Sequence, residues 1–191
     1  MNVLIINGHP KEKSFNDAIV KAYEQGALSG NASVEVLTLR DLDFNLSLEN
    51  AYEDNMSLEE DLKTAIQKIE WCDHMVWVHP VWWAGYPALM KGFIDRAFLP
   101  GVTYKYEGKS PFPKQLLKGK TARIICTADS PGWYYKLFLG NSGIKQLKKG
   151  VLEFCGVKPV KSTFIGPIRN STPAFREKWL QKIINLGARL S

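Results

Sequence analysis

The apolar positions of the chain follow two alternating patterns. Short, continuous apolar or β-branched runs are separated by stretches in which apolar residues recur at helical spacing. The runs predict five strands: Val3 to Ile6, Val34 to Leu39, Met75 to His79, Thr121 to Thr127, and Val160 to Ile165. Continuous apolar character, as in "VLII", is typical of strands that helices cover on both faces.

The stretches at helical spacing predict five helices. Their apolar residues are Ala18, Ile19 and Ala22 in the first, Leu58, Leu62, Ala65, Ile66 and Ile69 in the second, Leu89, Met90, Phe93, Ile94 and Ala97 after Pro87 in the third, and Phe175, Trp179, Leu180, Ile183 and Ile184 in the last. The fourth helix runs from about Ser142 to Phe154 and ends at Gly156, and the last begins at Thr172-Pro173.

Strands that alternate with helices predict a parallel sheet. The expected architecture is an α/β, doubly wound, flavodoxin-like three-layer sandwich with a five-stranded parallel sheet in the order 2-1-3-4-5, and residues 1–191 are expected to form a single domain. Two stretches, Asp41 to Ser57 and Leu99 to Lys118, are too long for ordinary connections between strands and helices. They are therefore predicted to be functional loops.

Composition narrows the class of protein. Hydrophobic residues make up 45% of the chain and charged residues 23%, as in folded globular proteins. The net charge of +6 is scattered, and no nucleic-acid recognition motif is present, so small anionic ligands are favoured over nucleic acid. Because no apolar run reaches the ~20 residues that span a bilayer, and no signal peptide is apparent, the chain is expected in the cytoplasm.

The cysteines and the other possible metal ligands show no pattern of metal or redox sites. Cys72, Cys126 and Cys155 are odd in number and far apart, and they are predicted to be reduced core thiols. No histidine and carboxylate set has metal-ligand spacing, and no serine has the sequence context of a nucleophile elbow.

The loop "NGHPKEKSFN" leaves the first strand where a doubly wound sheet binds its ligand, beyond the carboxyl ends of strands one and three. Ser14 is predicted to cap the first helix, with Asp17 completing a capping box. The free amides of the first helical turn attract phosphate, and His9, Ser14 and Asn16 add donors. The alternative is an ordinary capped loop in which His9 only contacts the backbone.

A second stretch, "WVHPVWWAGYPALMKGFIDRAF", follows the third strand. Pro80 and Gly85 predict a turn that places Trp82 and Trp83 at the ligand edge of the sheet, against a flat ligand; the alternative is that the tryptophans are core residues. Two histidines flank the third strand. His74 is predicted to lie on the surface, and His79 is predicted to be hydrogen-bonded by neighbouring backbone, although it could reach a ligand.

With these residues in place, the chain resembles the NAD(P)H:quinone oxidoreductases of the flavodoxin-like fold, which include DT-diaphorase and the ancillary proteins of glutathione-gated potassium efflux. "GHPKEKSFN" is similar to that family's "HP...SFN" flavin-phosphate loop, and "HPVWWAGYPALMKGFIDRAF" resembles its "P-hydrophobic-x-W-x-G-x-PA-x-LKG" segment. "GVTYKYEG" resembles the family's aromatic "YxY" loop, and "LEFCGVK" gives a fourth match. The resemblance runs in order through most of the chain.

The resemblance implies a non-covalent flavin, FAD or FMN with FAD favoured, and NADH or NADPH as substrate. The implied cofactor-binding residues are His9, Ser14, Phe15 and Asn16 at the ribityl and phosphate groups, Pro80, Val81, Trp82, Trp83 and Ala84 along the isoalloxazine ring, and Thr127, Ala128 and Asp129 after the fourth strand. Tyr104 and Tyr106 are implied to wall the substrate pocket across the interface of a homodimer.

Two features depart from the family pattern. Where the family often reads "TTGG", this chain reads Thr127, Ala128, Asp129, Ser130, and Asp129 is predicted to face solvent or cap the following segment. Tyr134 best matches the family's catalytic tyrosine and Tyr135 is its rival, whereas the histidine that follows in the family has no counterpart here.

The function that follows from the resemblance is a ping-pong, two-electron hydride transfer from NAD(P)H through flavin N5 to a quinone or a similar electron-poor acceptor. An azo- or nitroreductase is a variant of the same reading. The alternatives are a flavin-bearing regulatory partner of a potassium-efflux transporter and a one-electron flavodoxin carrier.

Overall fold

The computed structural model describes residues 1–49, 51, 57–108 and 110–190. One parallel sheet is formed by β1 (Asn2–Asn7), β2 (Ser33–Thr38), β3 (His74–Pro80), β6 (Thr121–Thr127) and β7 (Val160–Ile165). Its order is β2-β1-β3-β6-β7, so the predicted 2-1-3-4-5 order of a flavodoxin-like sandwich is confirmed. Between β3 and β6, the short strands β4 (Tyr104–Lys105) and β5 (Lys114–Gln115) pair antiparallel.

Helices cover both faces of this sheet. They are α1 (Phe15–Ser29), a 3₁₀ turn (Leu39–Asp41), α2 (Glu60–Trp71), α3 (Ala88–Ala97), α4 (Gly132–Leu137), α5 (Ser142–Lys145), a π-helical segment (Gln146–Leu152), α6 (Glu153–Cys155) and α7 (Pro173–Ala188). The run from α5 to α6 is continuous and ends at Gly156, whose φ of 103° favours glycine. The Thr172 side chain caps α7 by accepting from the Phe175 amide, as its sequence predicted.

Alternate residues of β1 belong to the two cores. Val3 and Ile5 pack with α1 and α7 on one face, and Leu4 and Ile6 pack with α2 and α3 on the other. Because side chains alternate across a strand, a continuous apolar run supplies both layers at once. The two cores fix the sheet between the helices, and the carboxyl ends of β1, β3 and β6 meet at one edge.

The prediction that His74 lies on the surface was wrong. His74 is the first residue of β3 and pairs with Val3 and Thr121 on the neighbouring strands, so only 2% of it is exposed. Its Nδ1 lies 2.6 Å from the Thr121 hydroxyl and its Nε2 lies 3.1 Å from the Tyr23 hydroxyl. Burial, followed by the charges of Arg123 and Lys161, lowers the pKa of His74 to about 4.

The prediction that the cysteines are core thiols is confirmed, since Cys72, Cys126 and Cys155 are all buried and free. The two long predicted loops fare differently. The Leu99 to Lys118 stretch contains β4 and β5, and its residue 109 lies outside the described residues, as do residues 50 and 52–56 of the Asp41 to Ser57 stretch. Among the helices of the described ranges, none has the length and apolar character needed to cross a membrane.

Candidate active site

A cavity of about 210 Å³ opens at the carboxyl edge of the sheet. Its lining residues come from the β1–α1 loop, the ends of β3 and β6, and the segment after β7: His9, Phe15, Asn16, Pro80, Val81, Trp82, Thr127, Ala128, Asp129 and Ile168. A hydrogen bond of 2.7 Å from the Val81 amide to the Thr127 carbonyl joins the ends of β3 and β6 beneath it. The cavity therefore lies where the strand order reverses, the usual ligand position of a doubly wound sheet.

Side chains organise the β1–α1 loop around Asp17. The Asp17 carboxylate accepts from the Ser14 amide at 2.7 Å, from the Asn7 side-chain amide at 2.7 Å, and from the Arg40 guanidinium at 3.0 Å. The predicted capping box is confirmed, because the Ser14 hydroxyl also accepts from the Asp17 amide. Burial would raise the pKa of Asp17, but the hydrogen bonds from Ser14, Asn7 and Arg40 together hold that pKa below its usual value.

The same network sets the protonation state of His9. Its Nδ1 accepts from the Lys11 amide at 3.0 Å, so the neutral ring carries its proton on Nε2. Burial lowers the pKa of His9, and the charges of Arg40 and Lys11 lower it further, against the opposing charge of Asp17. His9 is therefore a neutral Nε2–H donor at physiological pH, with its ring edge-on to Trp82 at a centroid distance of 5.8 Å.

Asn16 lines the cavity and has an unused side-chain donor. Its Oδ1 accepts from the Thr127 hydroxyl at 2.8 Å, which orients the side-chain amide. Its Nδ2 finds no hydrogen-bond partner among the described residues, although Asn16 is only 2% exposed and lines the cavity. Since a buried donor without a partner is costly, the geometry is that of a site awaiting an acceptor.

The turn after β3 borders the other end of the cavity. Trp82 and Gly85 exchange two backbone hydrogen bonds of 2.9 Å, and the central residues Trp83 and Ala84 have φ of 49° and 63°. Positive φ at both central positions defines a type I′ turn, which usually takes asparagine and glycine. Trp82 lines the cavity, whereas the side chain of Trp83 is fully exposed.

Comparison with known proteins identifies the family. The model of the family Flavodoxin_2, described as a flavodoxin-like fold, matches residues 1–186. The chain belongs to this family, and within it to the NAD(P)H:quinone oxidoreductases. An uncharacterized NAD(P)H oxidoreductase of Haemophilus influenzae is 33% identical over 88% of this chain and 85% of its own length.

Two further relatives cover most of the chain. An FMN-dependent NADH:quinone oxidoreductase of Mycoplasmoides gallisepticum is 30% identical over 81% of this chain and 79% of its own length. The crystal structure of Smu.1420 from Streptococcus mutans superposes with a TM-score of 0.86 at 31% identity, over 99% of this chain and all of that one. The family resemblance seen in the sequence motifs is thus confirmed.

The structure gathers nine of the twelve residues predicted to bind the cofactor of this family into the one cavity: His9, Phe15, Asn16, Pro80, Val81, Trp82, Thr127, Ala128 and Asp129. Ser14, Trp83 and Ala84 lie beside it, in the cap of α1 and in the turn, and are not among its lining residues. Asp129 faces solvent, as predicted, and its carboxylate pairs with Arg169 at 3.1 Å.

The tyrosines predicted to be catalytic in this family lie outside the cavity lining. Tyr104 lines a separate cavity of about 270 Å³ between α3 and the π-helical segment, and its ring packs edge-on against Tyr106 and Phe154. Tyr134, on α4, is partly exposed and stacks on Phe138, whereas Tyr135 is fully buried and stacks on Phe164. Their catalytic roles stay predictions.

Three residues of the site were missed from the sequence. Asn7 and Arg40 complete the Asp17 network, and Ile168 closes the cavity after β7 through a hydrogen bond of 2.9 Å from its amide to the Ala128 carbonyl. Asn7 ends the first strand and could have been read as part of the loop motif. Arg40 and Ile168 reach the site only through the fold and carry no local sequence signal.

Proposed function

We propose that this chain is a flavin-dependent NAD(P)H:quinone oxidoreductase. The observation that carries the proposal concerns Asn16, a residue that lines the cavity at the amino end of α1 and whose buried Nδ2 has no hydrogen-bond partner among the described residues. An acceptor such as a ribityl hydroxyl or a phosphate oxygen would satisfy it. The family membership and the relatives' activities support the same assignment.

The residues at this end of the cavity suit the phosphate and ribityl groups of a flavin. His9 offers its Nε2–H, Asn16 offers its Nδ2, and the first-turn amides of α1 add the positive end of a helix dipole. Both carboxylates near this site have cationic partners: Asp17 accepts from Ser14, Asn7 and Arg40, and Asp129, which lines the cavity, pairs with Arg169.

At the other end, Pro80, Val81 and Trp82 line the cavity and would pack against the isoalloxazine ring. A bound flavin would supply the redox chemistry, accepting hydride at N5 from NAD(P)H and then passing two electrons to a quinone in a ping-pong cycle. The chain's own residues bind and orient the ring and keep one face covered. A tyrosine such as Tyr134 would donate a hydrogen bond to the acceptor oxygen.

The placement of Tyr104 and Tyr106 supports a homodimer. Both lie away from the cavity lining of their own chain, on and beside the β4–β5 pair, and Tyr106 and Phe112 are exposed there. In a dimer they would reach the cavity of the second copy and cover the exposed Trp83. Sedimentation of the purified protein tests this: a monomer at all micromolar concentrations would rule out a shared site.

The flavin that we propose for this site is FMN. The FMN-dependent relative favours FMN over the FAD expected from the sequence, since that relative aligns over most of this chain. The cytoplasmic location and the regulatory role beside a potassium-efflux transporter stay predictions.

The test is the anaerobic visible spectrum of the purified protein after loading with FMN or FAD and desalting. We expect a retained flavin band that bleaches on addition of NADPH or NADH and returns when a benzoquinone is added. A protein that retains neither flavin, or whose flavin neither nucleotide reduces, would overturn the proposal. A stable semiquinone on partial reduction would instead indicate a one-electron carrier.

A further inference from the structure

The turn from Trp82 to Gly85 holds two non-glycine residues, Trp83 and Ala84, in the left-handed region. Such residues are uncommon there, because the Cβ atom crowds the backbone. They persist only where the surrounding structure holds them in place. The two backbone hydrogen bonds between Trp82 and Gly85 close the turn, but they do not involve the central residues Trp83 and Ala84.

Three donors converge on the Ala84 carbonyl oxygen at the tip of this turn. The Tyr135 hydroxyl donates at 3.0 Å, the Ser142 hydroxyl at 2.9 Å, and the Gly143 amide at 2.9 Å. A carbonyl oxygen has two lone pairs, so three donors saturate it. All three come from α4 and α5, more than 50 positions along the chain.

Tyr135 is itself held on every side. Its ring is fully buried and stacks on Phe164 of β7 at a centroid distance of 5.1 Å. Its hydroxyl donates to the Ala84 carbonyl and accepts at 3.0 Å from the same Gly143 N–H, which the hydroxyl and the carbonyl share. The hydroxyl therefore has one position, fixed by the sheet on one side and by the start of α5 on the other.

Gly143, at the start of α5, is in close contact with the backbone of the turn. A Cβ atom on Gly143 would lie 2.9 Å from the Ala84 oxygen, 2.9 Å from Gly85 Cα and 3.0 Å from the Tyr135 hydroxyl. Real Cβ atoms do not approach backbone this closely, so the glycine is required for the contact. The contact between turn and helix is as close as backbone packing permits.

We propose that Tyr135 is a positioning residue that, with Ser142 and Gly143, holds the Trp82–Gly85 turn in its left-handed conformation and so fixes the Trp82 wall of the cavity. Tyr135 acts through the backbone of Ala84 and does not touch the ligand. Its importance for the reaction rests on the proposed function, but its effect on the turn does not. This role differs from the catalytic one expected for Tyr134 or Tyr135, because the Tyr135 hydroxyl donates its hydrogen bond to the Ala84 carbonyl and not to a substrate.

The test uses the flavin-free protein, in which amide hydrogen exchange reports the turn directly. In Tyr135→Phe the ring and its stacking remain and the hydroxyl is lost. We expect the amides of Trp82 and Gly85 to exchange roughly tenfold faster, as the loss of one hydrogen bond predicts. The core amide of Ile5 should keep its wild-type rate.

A matched control lies in the same loop. Tyr86 follows the turn, and its buried hydroxyl has no hydrogen-bond partner within the part of the chain that the structure describes. Tyr86→Phe should therefore leave the exchange of Trp82 and Gly85 unchanged. Ser142→Ala, which removes an outer donor without altering the core, should accelerate the same two amides by a smaller factor and so tests the clamp if Tyr135→Phe does not fold.

Two results would overturn the proposal. Unchanged exchange at Trp82 and Gly85 in both Tyr135→Phe and Ser142→Ala would show that the turn needs no clamp. Equal acceleration at Trp82, Gly85 and Ile5 would show a general loss of stability. If the turn amides alone respond but the wild-type protein binds no flavin, the clamp stands and the proposed function fails.

Discussion

The β1–α1 loop and the Trp82–Gly85 turn border the same cavity, but different groups hold them in place. In the loop, side chains bond one another around Asp17, and Asn7, Ser14 and Asp17 lie within ten positions of sequence. In the turn, a single backbone carbonyl receives donors from residues more than 50 positions away. The loop end is built by side chains, most of them close in sequence, with Arg40 added through the fold. The turn end is built by tertiary contacts to the backbone.

The difference bears on how each end tolerates change. A side-chain network loses several hydrogen bonds when its central carboxylate is altered, because every partner depends on the same group. A backbone carbonyl cannot be mutated, so the turn is sensitive to the size and the donors of the residues packed on it. The following predictions test this contrast.

The largest effect is expected at the centre of the loop network. Asp17→Asn removes a charge that accepts from Asn7, Ser14 and Arg40. The partly buried guanidinium then keeps only its longer ion pair, 3.6 Å to the exposed carboxylate of Asp41. We expect the free energy of unfolding to fall by about 3 kcal/mol, measured by urea denaturation.

Glu60→Gln is the matched control, since it breaks an ion pair with Lys63 that is exposed on both sides. The free energy of unfolding should change by less than about 0.5 kcal/mol. Equal losses in the two variants would mean that the Asp17 network contributes no more than a surface pair.

The next effect concerns affinity. Asn16→Asp keeps the acceptor for the Thr127 hydroxyl but replaces the orphaned donor by a negative charge, which would repel the phosphate of the proposed flavin. We expect the Kd for FMN, measured by fluorescence quenching, to rise on the order of 100-fold.

Asn31→Asp adds the same charge at an exposed position after α1 and should leave the Kd within about twofold of wild type. Similar Kd values for Asn16→Asp and Asn31→Asp would place the anion elsewhere and remove Asn16 from the site.

The contrast between the two ends also explains what sequence reasoning could predict. The sheet order and the elements around it follow from short apolar runs and from caps such as Ser14, Thr172 and Gly156, which are local signals. α4 was missed, because a six-residue helix carries too little periodicity to detect. His74 was misplaced because burial at a strand start depends on the neighbouring strands, Val3 and Thr121.

Within the site, the loop could be read from the sequence because His9, Ser14, Asn16 and Asp17 stand in one motif. The clamp on Ala84 could not, since no local pattern links Tyr135 to a turn 51 positions earlier. The left-handed Trp83 and Ala84 also break the rule that such turns take asparagine and glycine, so "WWAG" gave no turn type. Tertiary contacts there override local preference.

At the turn, Gly143→Ala should act through size alone. The added Cβ would meet the Ala84 carbonyl and Gly85 Cα, so the turn or α5 must shift. Because overpacked cores lose stability, we expect the free energy of unfolding to fall by about 1 to 2 kcal/mol. The Kd for FMN should rise.

Gly150→Ala is the matched control on the following π-helical segment, where an added Cβ meets no atom of the described residues within 4 Å. This substitution should be neutral or stabilising by about 0.5 kcal/mol, since alanine favours helical backbone over glycine. A stabilising Gly143→Ala would show that the turn is not packed against α5 as tightly as the distances indicate.

The smallest effect separates His9, at the loop end, from His79, which ends β3 and is fully buried. As predicted from the sequence, His79 is hydrogen-bonded to neighbouring backbone, since its Nδ1–H donates to the Pro80 carbonyl. Burial lowers the pKa of His79 to about 4. The pKa of His9 is also lowered by burial, but an anion bound in the cavity would favour its protonated form. Adding phosphate or FMN should raise the pKa of His9 and leave that of His79 unchanged.

The pKa values are measured by NMR titration of the three histidine Hε1 signals, with and without phosphate. The free energy of unfolding is measured at the same pH values. In the unfolded chain each histidine binds a proton near pH 6.5. In the folded protein the pKa values of His9, His74 and His79 are all lower. Stability must therefore fall as the pH drops below about 6.5, most steeply between the unfolded pKa and the lower folded ones. Phosphate should lessen the share of this loss that belongs to His9, because it raises the folded pKa towards the unfolded one. A His9 midpoint that phosphate leaves unchanged would contradict the placement of the anion beside His9.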